Sequence, residues 1–188
     1  MQFTNYILKK MIDYHIIDND DKEIYIYGLN TGIMIIINLF TFLIFSYLMK
    51  ELDMAIILLL SFIPLRSLSG GIHCSSKFVC YIVSNTTMLI LLGLLEYFTK
   101  RAWFILILAT ISGYYVFSKE VTNSPNRNLD DHEVIFYSNS KKKVICLLFF
   151  IIIMLLLTHK IEYAVTIMCS IILVAVLLEV NFLYVCIK

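Results

Sequence analysis

Apolar residues fall into six blocks along the chain, approximately Ile24 to Tyr47, Leu52 to Leu65, Phe78 to Phe98, Ala102 to Phe117, Val144 to Thr158 and Glu162 to Cys186. Short polar breaks separate most of them. A helix needs roughly 20 apolar residues to cross a bilayer. The first, third and sixth blocks meet that length. The second, fourth and fifth fall short, so each is either a short crossing or a re-entrant insertion. The pattern predicts an all-α, polytopic membrane helix bundle of about six hydrophobic helices. Four crossings plus two partial insertions is the competing arrangement. Residues 1–188 read as a single membrane-embedded domain.

Two segments break the apolar rule. In residues 1–23, Phe3, Ile7, Met11 and Tyr14 share one side of a helical wheel, while Gln2, Asn5, Lys9 and Asp13 share the other. This predicts an amphipathic helix lying on the membrane surface or on the bundle. No apolar core of roughly 7–15 residues with a small-residue cleavage site follows, so no cleavable signal is expected. The second segment is "SKEVTNSPNRNLDDHEVIFYSNSKKK", residues 118–143. Ser124-Pro125 marks a turn, and Asp130 with Glu133 has the spacing of a capping box. The helix beginning near Asp131 is expected to run through Lys141, Lys142 and Lys143 into the fifth block.

Composition agrees with the pattern. The chain is 60% hydrophobic and 15% charged, and a soluble domain of 188 residues has no need of such apolar runs. Its 15 basic and 14 acidic residues leave a net charge of only +1, and no nucleic-acid partner is expected. The distribution of the basic residues is more informative. With six crossings and a cytoplasmic N-terminus, the inner regions hold Lys9, Lys10, Lys22, Arg66, Lys77, Lys119, Arg127, Lys141, Lys142, Lys143 and Lys188. Only Lys50, Lys100, Arg101 and Lys160 lie outside. The positive-inside bias therefore places both termini, and the 118–143 segment, in the cytoplasm.

Candidate chemistry is concentrated in "PLRSLSGGIHCSSKFVC", residues 64–80. Cys146, Cys169 and Cys186 sit in apolar blocks, where a thiol packs as a small hydrophobe. Cys74 and Cys80 instead lie among histidine, serine and lysine, facing a reducing compartment in which a thiol is expected rather than a disulfide. His73 can take a thiol proton and later return it to a leaving amine. Ser75 and Ser76 suit the N-cap of a helix starting near Lys77. Cys80 then falls in the first turn, where exposed amides favour an anion, and Lys77 adds positive charge.

The intervals Arg66–His73–Cys80 are both seven residues. On one straight helix, seven residues rise about 10.5 Å, too far for a hydrogen bond of about 3 Å. For His73 and Cys80 to act together, the chain has to bend, and Gly70-Gly71 supplies the backbone freedom. His73 is therefore expected on a loop folded over the start of the Cys80 helix. Arg66 reads two ways, as a carboxylate clamp or as a cation snorkelling to the interface. The stretch as a whole is either a thiol site or a polar joint between two membrane helices.

The order R-x3-GG-x-H-x6-C, formed by Arg66, Gly70, Gly71, His73 and Cys80, resembles the signature of the accessory gene regulator B (AgrB) family. Those proteins are membrane-embedded cysteine endopeptidases of Gram-positive bacteria that process a quorum-sensing propeptide. Length, amphipathic N-terminus, multiple spans and the polar segment with its Ser-Pro, Asn and Lys clusters extend the likeness along the whole chain. The resemblance implies that Cys80 is the nucleophile and His73 the general base and acid, with Arg66, Gly70 and Gly71 in support. It implies an acyl-enzyme thioester, then ring closure to a thiolactone or lactone, with no cofactor and no metal. The implied partners are a short propeptide with an amphipathic leader and acidic tail, the lipid bilayer, and a second copy of the chain in a homodimer. Lys141, Lys142 and Lys143 become candidate contacts for that tail, with positive-inside anchoring as their plainer reading. Cys74 stands where the family leads one to expect a small residue.

Glu179 lies inside the last apolar block, where an ionisable group is a functional candidate. Orienting His73, pairing with Asn85, and helix-to-helix hydrogen bonding of the kind open to Asn38 and Asn181 are its three readings. Two other classes fit the composition. One is a non-proteolytic peptide exporter. The other is a thiol oxidoreductase, which requires Cys74 and Cys80 to cycle as a pair.

Overall fold

The computed structural model describes Lys10, Tyr14 and residues 22–69, 77–119 and 131–187. Seven helices are found there: α1 (Lys22–Leu48), α2 (Leu52–Ser69), α3 (Lys77–Gly93), α4 (Leu95–Thr99), α5 (Ala102–Ser118), α6 (Asp131–Leu157) and α7 (Ile161–Ile187). The described chain is all-helical, as the block pattern predicts. The amphipathic N-terminal helix expected over 1–23 lies largely outside the described residues.

Three boundaries carry physical information. The second block is short by composition, yet α2 runs on through Pro64 and Arg66 to Ser69 and becomes long and apolar enough to cross a membrane. The third block is not one helix. It breaks at Leu94, just after Gly93, a poor helix former whose missing Cβ would lie 3.7 Å from Met49 Cε. The helix that enters the fifth block is described from Asp131 and runs through Lys143 as expected, while Asp130 and the Ser124-Pro125 turn lie outside the described residues.

α1 and α7, like α2, contain stretches able to span a bilayer, Gly28–Leu48 and Ile161–Val180, while Phe78–Gly93 and Ala102–Ser118 are shorter apolar helices. Successive helices alternate between two ends of the bundle. At one end the α1–α2 turn, the α3–α4 junction and the start of α7 share a cavity lined by Glu51, Gly93, Glu96 and Glu162. At the other end the Lys141 ammonium donates to the Lys119 carbonyl, joining the end of α5 to α6.

α7 is the centre of the bundle and packs on α2, α4, α5 and α6. Ala164, Val165, Ile171 and Val174 on α7 are fully buried, facing Ala55 and Leu58 of α2 and Ala109 of α5 within one core. Small residues at these places let helix backbones approach closely, the chief source of packing energy where lipid already solvates apolar side chains. Gly113 on α5 is the tightest case: a Cβ there would meet the Phe149 ring at 2.5 Å. Buried hydroxyls return to their own helix, as when Ser46 donates to the Phe42 carbonyl at 2.7 Å and Thr166 to that of Glu162 at 2.9 Å. Facing outward are Phe40, Leu60, Ile107, Ile111 and Leu157. An apolar exterior around a tightly packed, small-residue interior is the arrangement of a membrane protein.

α1 and α6 end in the same turn. Glu51 N–H donates to the Ser46 carbonyl and Lys50 N–H to that of Tyr47; Lys160 N–H donates to Leu155 and His159 N–H to Leu156. These are Schellman closures, which place one residue in the left-handed region. That residue is usually glycine, but here it is Lys50 (φ 62°) and His159 (φ 57°). Replacement by glycine removes the Cβ strain of that conformation. Lys50→Gly and His159→Gly are each expected to stabilise the protein by about 1 kcal/mol, read as a raised thermal midpoint in detergent. An unchanged or lowered midpoint in both variants contradicts this account of the turns.

Candidate functional site

Arg66 lies in the last turn of α2, half-buried. Cys80 lies in the first turn of α3 as a half-buried thiol. The two residues therefore stand on separate helices, not stacked along one face. Gly70, Gly71, His73 and Cys74, together with the loop expected to carry His73, lie outside the described residues.

α3 is held against α1 by polar side chains just beyond Cys80. The Tyr81 hydroxyl donates to Thr41 Oγ1 at 2.9 Å. Asn85 Nδ2 donates to Asn38 Oδ1 and to the Tyr81 carbonyl at 3.1 Å. Asn85 is only 8% exposed, and its Oδ1 has no hydrogen-bond partner among the described residues. In an apolar setting such amide pairs resist separation, because the alternative is a polar group left in hydrocarbon. The pairing fixes the rotation of α3. Asn85, Met88 and Leu92 are turned inward, while Val79, Ile82 and Val83 face outward. Cys80 and Ser84, one turn apart, share the flank between these faces, both half-buried. A thiol on a flank in a first turn is reachable and lies where unpaired amides stabilise negative charge.

The three lysines of α6 separate in role. Lys141 is 1% exposed and commits its ammonium to the Lys119 carbonyl. Burial, with the adjacent Lys142 charge, pushes it below the ordinary lysine range. Lys142 is half-buried, with its ammonium 5.4 Å from the centre of the Phe117 ring. Lys143 is exposed. Glu179 and Asn85 are not partners. Glu179 faces the Tyr115 hydroxyl of α5, which also receives a 2.6 Å hydrogen bond from the Lys119 ammonium. Glu179 thus joins a helix-to-helix network, as one of its sequence readings has it. Asn181 lies among residues whose side chains are outside the described set. Cys169 is buried in the core as expected, but Cys146 is exposed on the outer face of α6.

The α1–α3 polar pairing is the feature that sequence reasoning missed. Its signal was present: Asn38, Thr41 and Asn85 interrupt otherwise apolar blocks. Partner choice among such residues depends on helix rotation and neighbours, which periodicity alone does not supply.

A bundle of this kind, with a polar-anchored helix presenting a thiol in its first turn, defines a polytopic α-helical membrane protein with a cysteine-centred candidate site. A family model for accessory gene regulator B matches residues 2–180 of the 188, and the chain belongs to that family. It is accordingly a membrane protein of quorum-sensing propeptide processing. No curated protein and no solved structure matches the chain.

The amide pair generates a direct expectation. In a double-mutant cycle of Asn38→Ala and Asn85→Ala, the coupling is expected to be about 0.5–2 kcal/mol, measured by reversible unfolding in mixed micelles. Strictly additive losses contradict a direct Asn38–Asn85 bond.

Proposed function

We propose that this chain is a membrane cysteine endopeptidase that removes the C-terminal tail of an autoinducing propeptide and promotes closure of the remaining peptide into a ring. The observation that carries the proposal is Cys80 in the first turn of α3, half-buried on an accessible flank and on a separate helix from Arg66. The family match over 2–180 supports it.

In the proposed reaction His73 takes the Cys80 thiol proton, and the sulfur attacks the scissile carbonyl carbon. The peptide C–N bond breaks, His73 returns the proton to the leaving amine, and the tail departs. The peptide is left as a thioester on Cys80. A thiol within the propeptide (or a hydroxyl) then gives up its proton and attacks the thioester carbonyl. Cys80 leaves as thiolate and recovers a proton, and a thiolactone or lactone is released. Exchange between two thiols conserves the thioester, so closure of a thiolactone needs no energy input beyond exclusion of water, which a site at the membrane boundary favours.

Arg66, Gly70 and Gly71 are proposed to support this site. Lys143 and Lys142 are proposed to meet the acidic tail by charge, with Lys141 positioning α6 through its bond to Lys119. Both termini and the site are proposed to face the cytoplasm, and two copies to form a homodimer. The competing reading is a peptide exporter without proteolytic activity.

Cys80→Ala and His73→Ala are expected to abolish propeptide cleavage while the protein still inserts into membranes. Cleavage at wild-type rate in either variant would overturn the assignment and favour transport of intact peptide. A propeptide whose ring-forming residue is changed to alanine is expected to accumulate as an acyl adduct on Cys80, seen by mass spectrometry. Retained cleavage in Cys74→Ser separates this mechanism from a Cys74/Cys80 redox cycle. Lys143→Glu is expected to raise KM for an acidic-tailed propeptide by up to about fivefold, the effect of an exposed ion pair, and to leave a neutral-tailed one unaffected.

A further inference from the structure

Toward the end of the bundle opposite Cys80, residues of α3, α4, α5 and α7 enclose a groove of about 330 Å³. Leu91, Phe98, Ile105, Leu108 and Leu173 line it, and Arg101 stands among its walls at the start of α5. Along α5 the groove runs from Arg101 to Leu108, and along α7 from Cys169 to Val176. Seven residues of helix span about 10.5 Å, so the groove fits within one leaflet of a hydrocarbon core about 30 Å thick.

The mouth of this groove is positively charged. Arg101 is the N-cap residue of α5, and no side chain caps that end. A cation is thus placed on the positive end of a helix dipole, where the two repel. The Arg101 guanidinium lies 4.7 Å from the centre of the Tyr97 ring. The nearby Glu96 carboxylate is already bonded to Lys100 at 2.9 Å. Trp103, 83% exposed, and Tyr97, about half-exposed, mark this level as the membrane–water interface, where such side chains concentrate. An apolar slot that begins at headgroup depth under an arginine and uncapped amides is complementary to one kind of molecule. Its tail must be a hydrocarbon chain and its head an anion that can accept forked hydrogen bonds from a guanidinium.

We infer that the α5–α7 groove holds an acyl chain of an anionic phospholipid, with its phosphate bound by Arg101 and the first-turn amides of α5. The site is separate from the thiol and does not rest on the peptidase reading. It gives the protein a specific lipid ligand on the face opposite its candidate chemistry.

The test is native mass spectrometry of the full chain in detergent, titrated with dioleoylphosphatidylglycerol or dioleoylphosphatidylcholine. Wild-type protein is expected to retain one phosphatidylglycerol at about tenfold lower lipid concentration than phosphatidylcholine, as one charged hydrogen-bonded contact implies. Arg101→Gln is expected to remove that preference. Val176→Trp, which fills the groove and keeps the charge, is expected to lower retention of both lipids. Lys160→Gln changes a cation whose ammonium lies over Tyr163, outside the groove, and is expected to leave the preference intact. Equal retention of the two lipids by wild type overturns the inference. So does a preference that survives Arg101→Gln, one lost equally in Lys160→Gln, or retention unaffected by Val176→Trp. All variants are compared at equal helicity and equal elution volume.

Discussion

Hydrocarbon offers no partner to a backbone N–H or C=O, so a continuous apolar segment inside it satisfies its hydrogen bonds within itself by forming a helix, the alternative being a closed barrel of paired strands. That constraint accounts for a described chain that is all-helical, and for buried hydroxyls such as those of Ser46, Ser61 and Thr166 turned back to carbonyls of their own helices. It also changes what a core is for. With apolar side chains as comfortable in lipid as in protein, association depends on how closely backbones approach. α7 answers this by placing Ala164, Ser170 and Ala175 among its buried positions, against Ala55, Ala109 and Gly113 on its neighbours. The result is a compact group of α2, α5, α6 and α7, with Val165 and Ile171 wholly enclosed.

The candidate thiol does not belong to that group. Its helix, α3, packs chiefly on α1, and the join is made by Tyr81–Thr41 and Asn85–Asn38. Polar bonds in an apolar layer specify rotation more sharply than apolar packing does, because a slipped register strands amides without partners. Cys80 is thereby kept on a flank, neither buried in the core nor fully exposed on the outer face.

The two ends of the bundle differ in chemistry. Around the end of α5 and the start of the apolar part of α6, Lys141 ties α6 to the Lys119 carbonyl while the Lys119 ammonium bonds Tyr115 one turn back, with Lys142 and Lys143 beyond them. At the opposite end Glu51, Glu96 and Glu162 lie among Lys50, Lys100 and Lys160, with Arg101 at the α5 start. An anionic lipid has one place at the second end, where a cation and uncapped amides coincide.

Much of this was legible in the residues alone. Apolar blocks of membrane length pointed to an all-α bundle, since a helix satisfies its backbone within one segment, and the helix expected from about Asp131 through Lys143 is present as α6. The distance argument determined that His73 and Cys80 cannot act together from one straight helix, because helical rise is a constant of the backbone, and Arg66 and Cys80 do stand on separate helices. The length of α2, the break after Gly93 and the choice of Asn38 as partner for Asn85 were decided only in three dimensions. So were the burial of Lys141 and the turning of Glu179 toward Tyr115. In each case the residue type announces a need for a partner, whereas the partner is whichever group helix packing brings within reach. Periodicity along one helix carries no information about that.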